Sequence, residues 1–131
     1  MATMRTGTIM WHDLTVPDAE NVRDFYQAVA GWRAEAVDMG GYSDYTMYPG
    51  GAAEGSAPSG GICHAHGSNS GLPPQWLIYI IVESIAASIE KCVALGGSVV
   101  DGPREMGTDL FAVIKDPAGA CVALYEQGAR D

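Results

Sequence analysis

Apolar residues occur at two different spacings near the start of the chain, and the change of spacing separates a strand from a helix. Ile9–Val16 is rich in apolar and β-branched residues, which is typical of a strand. Pro17 cannot donate a ladder hydrogen bond and ends that strand, and Asp18 can cap a helix. The apolar residues that follow recur at the spacing of one helical face: Val22, Phe25, Tyr26 and Val29. Gly31 suits the left-handed position after a helix, so a helix is predicted near residues 19–30.

The same order of signals returns 66 positions later in the chain. Trp76–Val82 is apolar at nearly every position, which predicts a strand that is covered on both faces. Ser84 can cap a second helix, which is predicted over residues 85–95, and Gly96-Gly97 ends it. The apolar residues that this helix is expected to bury are Ile85, Ile89, Cys92 and Leu95.

Short strand-like segments, rather than further helices, follow each predicted helix. After the first helix the predicted strands are Ala34–Met39, Tyr42–Tyr48 and Gly60–His66, with a mobile loop at Pro49–Ser59. After the second helix, a strand begins at Ser98–Val100 and is bent by Gly102-Pro103, and further strands are predicted at Leu110–Ile114 and Cys121–Glu126. A tight turn at Asp116-Pro-Ala-Gly119 and a loose tail from Gln127 complete this part. The sequence therefore predicts an α+β fold of two βαβββ units, about residues 8–66 and 75–127, in one domain spanning residues 1–131.

The charge balance narrows the class of partner. The 131 residues include 16 acidic and 7 basic side chains, which give a net charge of −9. Nucleic acids and anionic membranes need clustered Lys and Arg, so neither is expected as a partner. The sequence has no apolar run of membrane-spanning length, and Met1–Gly7 has no signal-peptide character, so we expect a cytoplasmic protein.

The three cysteines give no sign of a metal or redox site. Cys63, Cys92 and Cys121 are scattered, and no Cys-x-x-Cys pair is present. We interpret them as small buried residues. Cys63 precedes His64 directly, but adjacent strand residues point to opposite faces, which argues against a catalytic thiol and base.

Several motifs together resemble one superfamily. They are the opening Trp11-x-x-Leu14-x-Val16-x-Asp18, the pairs Phe25-Tyr26 and Gly31-Trp32, the repeat from Trp76 to Gly97, and Asp116-Pro-x-Gly119. In order and spacing they resemble the vicinal oxygen chelate superfamily, which includes glyoxalase I, bleomycin-resistance proteins and extradiol dioxygenases. The resemblance implies two βαβββ units that form a half-open barrel around a cavity, with helices outside.

The resemblance also marks the positions at which metal enzymes of that superfamily carry their ligands. At those positions this chain has Trp11, Leu77 and Ala123, and the fourth position falls near Gly61. Trp, Leu and Ala side chains cannot ligate a divalent cation. We therefore predict no metal at the superfamily's usual site.

Strand alternation predicts which residues line the cavity. If Leu14 and Val16 pack on the first helix, their neighbours in the strand face the other way. The predicted ligand-binding residues are Trp11, Asp13, Thr15, Tyr79 and Tyr125. The alternative is that these rings only fill the barrel. An inward Asp13 needs a partner, water or ligand, and with the net charge it favours a cationic ligand.

Three histidines leave a second possibility open. His12, His64 and His66 lie on strands that the superfamily topology makes neighbours, and a His-x-His pair can bind a cation such as Zn, Ni or Mn. The other interpretation is that they are structural histidines. Glu83, Glu105 and Glu126 are expected to be solvated charges at strand ends.

Two functions remain from different classes. The first is a metal-independent binding protein of the bleomycin-resistance type, which holds a small molecule without a cofactor. The alternative is a divalent-metal-dependent lyase or isomerase of the glyoxalase type with an unusual ligand set. A domain that acts through protein contacts has no positive support. Exposed strand edges further predict a homodimer.

Overall fold

The computed structural model describes residues 4–128, which contain two helices and eight strands. In chain order the elements are β1 (Ile9–Val16), α1 (Ala19–Ala30), β2 (Arg33–Asp38), β3 (Ser43–Tyr48), β4 (Gly60–His64), a short 3₁₀ turn (Gly67–Asn69), β5 (Trp76–Ile81), α2 (Ile85–Ala94), β6 (Ser98–Met106), β7 (Asp109–Lys115) and β8 (Cys121–Glu126). The predicted α+β class with two βαβββ units is confirmed.

The chain divides into two compact units. The N-terminal unit is His12–Trp76, and the C-terminal unit combines the segment up to Trp11 with the segment from Leu77 onward. In the N-terminal unit the strand order is β2-β3-β4-β1, and β1 runs parallel to β4. In the C-terminal unit the order is β5-β8-β7-β6, and β5 runs parallel to β8. Each unit therefore has the same strand plan.

The helix ends follow the predicted capping chemistry. The Asp18 carboxylate accepts from the Asn21 amide at 3.4 Å, and the Ser84 hydroxyl accepts from the Ala87 amide at 3.2 Å. Gly31 ends α1 in the left-handed conformation, with φ of 73°. These groups satisfy backbone atoms that have no partner inside a helix.

In the N-terminal unit, α1 covers one face of the sheet. The buried residues of this core are Leu14, Val16, Ala19, Tyr45, Met47 and Ile62, against which Val22 and Tyr26 of α1 pack. Phe25 and Val29 are 55% and 66% exposed, so the apolar face predicted for α1 is only partly covered by the sheet. The helix contacts the sheet through the narrower stripe that starts at Ala19, and Phe25 and Val29 lie beside that stripe.

In the C-terminal unit, α2 covers one face of the sheet. Ile85, Ala112 and Leu124 are buried there, with Ile80 and Ile89 packed against them. Leu95 is 76% exposed, because α2 ends at Ala94 and Leu95 already belongs to its C-cap; its predicted burial is wrong. Ile78 is 38% exposed, so β5 is not covered along its whole length, contrary to prediction.

The predicted tight turn at Asp116–Gly119 is present, whereas the tail after β8 differs from its prediction. At the predicted tight turn the Gly119 amide donates to the Asp116 carbonyl oxygen at 2.9 Å. The Gln127 side chain accepts from the Met4 amide, and the Gly128 amide donates to Asp109, both at 2.7 Å. The prediction of a loose tail is therefore wrong for these two residues. The rest of that prediction, and the start of the segment Met1–Gly7, lie outside the described residues.

No helix in the described part of the chain is both long and apolar enough to cross a membrane.

Candidate ligand-binding faces

Each unit has a sheet face that its own helix does not cover, which we call its helix-free face. In the N-terminal unit Leu14 and Val16 pack with α1, as predicted. Because strand side chains alternate, Asp13 and Thr15 lie on the helix-free face. Thr15 is buried and Asp13 is partly buried. Both residues therefore lie on the side of the sheet that faces away from α1, and their contact with a ligand stays a prediction.

The helix-free face of the N-terminal unit is polar. In the parallel pairing of β1 and β4, Asp13 lies opposite Gly61 and Thr15 opposite Cys63. Asp44 of β3 is 9% exposed, and its carboxylate accepts from the His64 amide at 2.8 Å. Two carboxylates thus lie close to one thiol, since both Asp13 and Asp44 act electrostatically on Cys63.

Cys63 is held as a neutral thiol. Burial contributes most to raising the pKa of the Cys63 thiol well above its usual range, and the carboxylates of Asp13 and Asp44 raise it further. The thiolate is the reactive form of cysteine, so this environment suppresses nucleophilic chemistry. The sequence also argued against a catalytic Cys63, because Cys63 and His64 point to opposite faces of their strand. In addition, Cys63 is partly rather than fully buried, as are Cys92 and Cys121.

The helix-free face of the C-terminal unit is aromatic. Tyr79 lies opposite Ala123, and Tyr125 lies opposite both Ile81 and Phe111. The ring centroids of Tyr79 and Phe111 are 6.3 Å apart. Paired residues share a face, so Tyr79, Phe111 and Tyr125 lie on the same side of the sheet, opposite α2. Two of the predicted ligand-binding residues, Tyr79 and Tyr125, are therefore brought together.

A buried carboxylate fixes one of these rings. Asp109 is 8% exposed and accepts from the Tyr125 hydroxyl at 2.5 Å. The Gly128 amide donates to the other oxygen of the same carboxylate at 2.7 Å. Hydrogen bonds to a buried carboxylate compensate the cost of removing it from water. Asp109 thereby positions the hydroxyl of Tyr125 on this face.

Arg104 completes the aromatic face with a positive charge. Its guanidinium carbon lies 4.5 Å from the centroid of the Phe111 ring, and its Nη2 lies 2.5 Å from Asp101 Oδ2. An arginine over an aromatic face is a favourable cation–π arrangement. The C-terminal unit therefore presents two tyrosines, a phenylalanine and a guanidinium on one face.

The sequence reasoning missed Arg104, Phe111, Asp109 and Asp44. The bend predicted at Gly102-Pro103 is an interruption of the pairing inside β6, and it is this interruption that sets Arg104 opposite Phe111. Asp109 precedes the predicted start of its strand, and only the pairing of β7 with β8 brings it beside Tyr125. Glu126 was also misjudged as solvated, since it accepts from the Ile85 amide at 2.8 Å and caps α2. Glu83 and Glu105 are exposed, as predicted.

Trp11 lies in β1 on the C-terminal-unit side of the division and is partly buried. Asp13 and Thr15 belong to the N-terminal unit, and Tyr79 and Tyr125 belong to the C-terminal unit. That all five contact one ligand stays a prediction.

Two of the histidines, His64 and His66, share the ring of Tyr42 as a neighbour, whereas His12 has a different partner. His12 Nε2 donates to the Ser59 carbonyl oxygen, whereas His64 Nδ1 lies 3.5 Å from the Asp44 carboxylate. The His66 ring stacks on Tyr42, with centroids 4.3 Å apart. The pairing of Val16 with His64 places His12 four residues away along the strands, about 13 Å at the usual rise. The structure therefore does not bring His12 to His64.

The superfamily's metal positions hold no ligand atoms. Leu77 is 1% exposed and Ala123 is 0% exposed, and both side chains are hydrocarbon. Gly61 has no side chain, and an indole such as Trp11 is not a ligand for hard or borderline cations. These residues do not fit a divalent metal. Among residues 4–128, no group of three or more His, Cys, Asp or Glu side chains is arranged to hold a metal ion.

A cavity of about 360 Å³ lies on the opposite side of the C-terminal unit, between α2 and the sheet. Its lining includes Cys92, Leu95, Ile114, Pro117 and Leu124. The cavity is mostly hydrocarbon, although Ser88, Lys91 and Asp116 also line it. A specific small-molecule site usually combines an apolar lining with several convergent polar groups. The helix-free faces carry more polar groups than this cavity, so we place the candidate site there.

Comparisons with known proteins agree with this architecture. A family model described as a glyoxalase-like domain matches residues 10–124. The chain is 32% identical over 129 residues to the candidate glyoxylase CFP32 of Mycobacterium tuberculosis, covering 93% of this chain and 46% of that protein. It is 27% identical over 143 residues to the anthracycline biosynthesis protein DnrV of Streptomyces peucetius, covering 100% of this chain and 51% of that protein. The chain thus spans about half the length of the curated relatives it matches.

Solved structures share the fold at low sequence identity. A hypothetical protein of Bacillus halodurans superposes with a TM-score of 0.56 at 13% identity, covering 97% of this chain and 99% of that chain. A methylmalonyl-CoA epimerase variant of Streptomyces coelicolor, in complex with 2-nitronate-propionyl-CoA, gives 0.53 at 15% identity, covering 95% of this chain and 100% of that chain. At these identities the likeness concerns the fold alone.

Proposed function

Because the chain belongs to the glyoxalase-like domain family, we propose that it binds a small organic molecule through its helix-free faces, without a divalent metal at the superfamily's usual positions. The observation that carries this proposal is the filling of those positions by buried hydrocarbon at Leu77 and Ala123. A metal enzyme of this type needs a Lewis acid at that place, and these side chains supply no ligand for one.

The composition of the faces supports an aromatic or otherwise flat ligand. Tyrosine and phenylalanine rings offer large apolar areas that stack on a planar partner. In the C-terminal unit those rings are Tyr79, Phe111 and Tyr125, of which Tyr125 is held by Asp109. One relative is named for anthracycline biosynthesis, and anthracyclines contain fused aromatic rings, which supports the same ligand class.

We further propose that Asp13 and Thr15 of the N-terminal unit, together with Trp11, contact the ligand, as the sequence predicts. A partly buried carboxylate and a buried hydroxyl can both hydrogen-bond a polar substituent. The cytoplasmic location stays a proposal, supported by three free cysteines, because disulfides are rare in reducing compartments.

A ligand screen with matched variants tests the proposal. Thermal shifts of the full chain would be measured with neutral, cationic and anionic fused-ring aromatics. We expect hits whose affinity falls at least about tenfold in Tyr79→Leu or Trp11→Ala, as for loss of an aromatic contact in a desolvated site. Phe25→Leu is the control, because it removes an aromatic ring that is 55% exposed on α1. Equal losses in all three variants would contradict the assignment of these faces.

Elemental analysis separately tests the proposal that the protein binds no divalent metal at the superfamily's usual positions. The protein would be purified without chelator and then titrated with nickel, zinc and manganese. We expect no stoichiometric metal and no titration endpoint. Stoichiometric binding that is abolished in His64→Ala and His12→Ala would instead support the metal-dependent lyase or isomerase with an unusual ligand set.

A further inference from the structure

Strand β6 contains a bulge that changes the direction of Arg104. Its pairing with β7 is irregular at two places, between Val99 and Asp101 and between Asp101 and Arg104. At the second, Asp101 lies opposite Val113 and Arg104 opposite Phe111, so three steps along β6 match two steps along β7. With regular pairing from Asp101 onward, Arg104 would lie opposite Leu110, which packs on the helix side. The bulge instead places Arg104 on the helix-free face, and re-aiming a side chain is a known use of bulges.

The local sequence is suited to this bulge. Gly102 has φ of +88°, a conformation that residues with a side chain rarely adopt. A Cβ atom there would lie 2.9 Å from the Phe111 carbonyl oxygen, so the two backbones approach closely. Because the bulge adds one residue, Asp101 and Arg104 occur on the same face, although they are three positions apart.

The bulge brings the guanidinium to the aromatic residues of the C-terminal unit. Arg104 lies over Phe111, and Phe111 pairs with Tyr125. The Arg104 side chain is 22% exposed, so the group is partly desolvated yet still reaches the surface. A charge-assisted hydrogen bond gains strength where water is partly excluded.

We propose that Arg104 is a specificity-determining residue that binds an anionic oxygen of the ligand, so that the ligand is an aromatic carboxylic acid. The proposal rests on the proposed function of this face. A guanidinium matches a carboxylate by two parallel N–H···O bonds. The ligand's ring would lie beside Tyr125, which is partly buried, whereas Tyr79 and Phe111 behind it are 9% and 6% exposed. The net charge of −9 opposes anions at long range, so selectivity for an acid must come from this local contact.

This inference differs from the preference for cations that the sequence predicts from Asp13. Asp13 lies in the N-terminal unit near Asp44, whereas the aromatic face belongs to the C-terminal unit and carries Arg104. The alternative is a purely structural role, in which Arg104 only pairs with Asp101 and packs on Phe111. Removing a purely structural arginine would weaken all aromatic ligands alike, so the ratio between matched ligands separates the two interpretations.

The test is calorimetry of the full chain with three matched probes: naphthalene carboxylate, its carboxamide and the aminomethyl analogue. We expect the carboxylate to bind about tenfold or more tightly than the carboxamide, as for gain of a charge-assisted hydrogen bond. In Arg104→Met the ratio should fall to about one, and Arg104→Lys should keep an intermediate ratio because it keeps the charge but loses the fork.

Arg23→Met is the matched control. Arg23 lies 4.7 Å from the Tyr45 ring centroid, pairs with Asp24 at 2.9 Å and has a side chain that is 26% exposed, but it belongs to α1. It should leave the ratio unchanged. The inference is overturned if the wild-type protein shows no preference for the carboxylate, or if Arg104→Met and Arg104→Lys both keep that preference. Binding of the carboxamide alone would spare the proposed function, whereas failure of all three probes would overturn both.

Discussion

At the scale of single residues, the two helix-free faces stabilise different charge states. On the N-terminal unit, Asp13 and Asp44 lie close to Cys63 and oppose a further negative charge there. On the C-terminal unit, Asp109 is satisfied by the Tyr125 hydroxyl and the Gly128 amide, and Asp101 pairs with Arg104. Carboxylates thus hold a thiol neutral on one face and orient a phenol and a guanidinium on the other.

The raised pKa of Cys63 has a consequence for stability at alkaline pH. The ordinary value of the thiol is 9.0, and in the folded protein the group keeps its proton at higher pH. Above about pH 9 the unfolded chain loses this proton while the folded chain does not, so stability falls as the pH rises. Below that pH the contribution is fully present. We therefore expect Cys63→Ala to reduce the loss of stability between about pH 8 and about pH 10.5.

Chemical denaturation at several pH values measures this effect. The quantity compared is the slope of unfolding free energy against pH, so a uniform loss from the missing sulfur atom does not matter. Cys92→Ala on α2 is the control and should keep the wild-type slope. Equal slopes in wild type and Cys63→Ala would show that the thiol does not titrate as its surroundings indicate.

The sequence predicted the orientation of several site residues but not the residues that contact them. In β1, Leu14 and Val16 identify the core side, so alternation was enough to orient Asp13 and Thr15. The same alternation along β5 orients Tyr79, whose neighbour Ile80 packs on the helix side. The partners Asp44 and Asp109 could not be predicted, since each is brought in by pairing between strands that are distant in sequence. Local pattern gives the direction of a side chain but not its neighbours.

At the scale of elements, α2 is anchored by two acceptors at its first turn. The Ser84 hydroxyl accepts from the Ala87 amide, and the Glu126 carboxylate of β8 accepts from the Ile85 amide. A negative charge at a helix N-terminus also interacts favourably with the helix dipole. Glu126 therefore ties the last strand to the helix as well as capping it.

Removing either acceptor should destabilise the protein. We expect Ser84→Ala to lower the unfolding free energy by about 0.5–2 kcal/mol. Glu126→Gln should lower it by about 0.3–1 kcal/mol through loss of the charge at the helix terminus. Urea denaturation gives both values. Glu83→Gln, an exposed neighbour, should stay within about 0.5 kcal/mol of wild type; a loss there as large as in Glu126→Gln would contradict a specific cap.

Helix ends were predictable from sequence, whereas strand register and helix exposure were less so. Asp18, Gly31 and Ser84 act through neighbours within a few residues, so their types alone indicate the ends of helices. The irregular pairing before Arg104 depends on how β6 meets β7, so the sequence indicates a bend at Gly102-Pro103 but not the residue that Arg104 lies opposite. The exposure of Leu95 depends on where α2 leaves the sheet, which periodicity does not show.

At the scale of the whole molecule, several large apolar residues remain on the surface of the chain. Ile9, Phe25, Val29 and Leu95 are between 55% and 76% exposed. Exposed apolar groups and open strand edges commonly mark surfaces that pair with another copy. The curated relatives are about twice as long as this chain, which leaves room in each for a second domain of this size.

We therefore predict a homodimer in solution. Sedimentation equilibrium and light scattering at micromolar concentration should give twice the chain mass of 13.8 kDa. Replacing an exposed apolar residue by a charge, as in Leu95→Glu or Phe25→Glu, should shift the equilibrium toward monomer, with Thr108→Glu as a control at an exposed polar residue between β6 and β7. A wild-type protein that remains monomeric at these concentrations would contradict the prediction.

The strand pairing near the start of the chain bears on how the protein folds during synthesis. The Gly7 amide donates to the Ile81 carbonyl oxygen, and the Ile81 amide donates to that of Thr8, both at 2.8 Å. The ribosome releases Gly7 early, but its partner emerges only after the entire N-terminal unit has been made. Gly7 and Thr8 must therefore wait for this strand partner throughout that interval. Such pairing between distant positions is the kind that slows folding, and it exposes the nascent segment to chaperones.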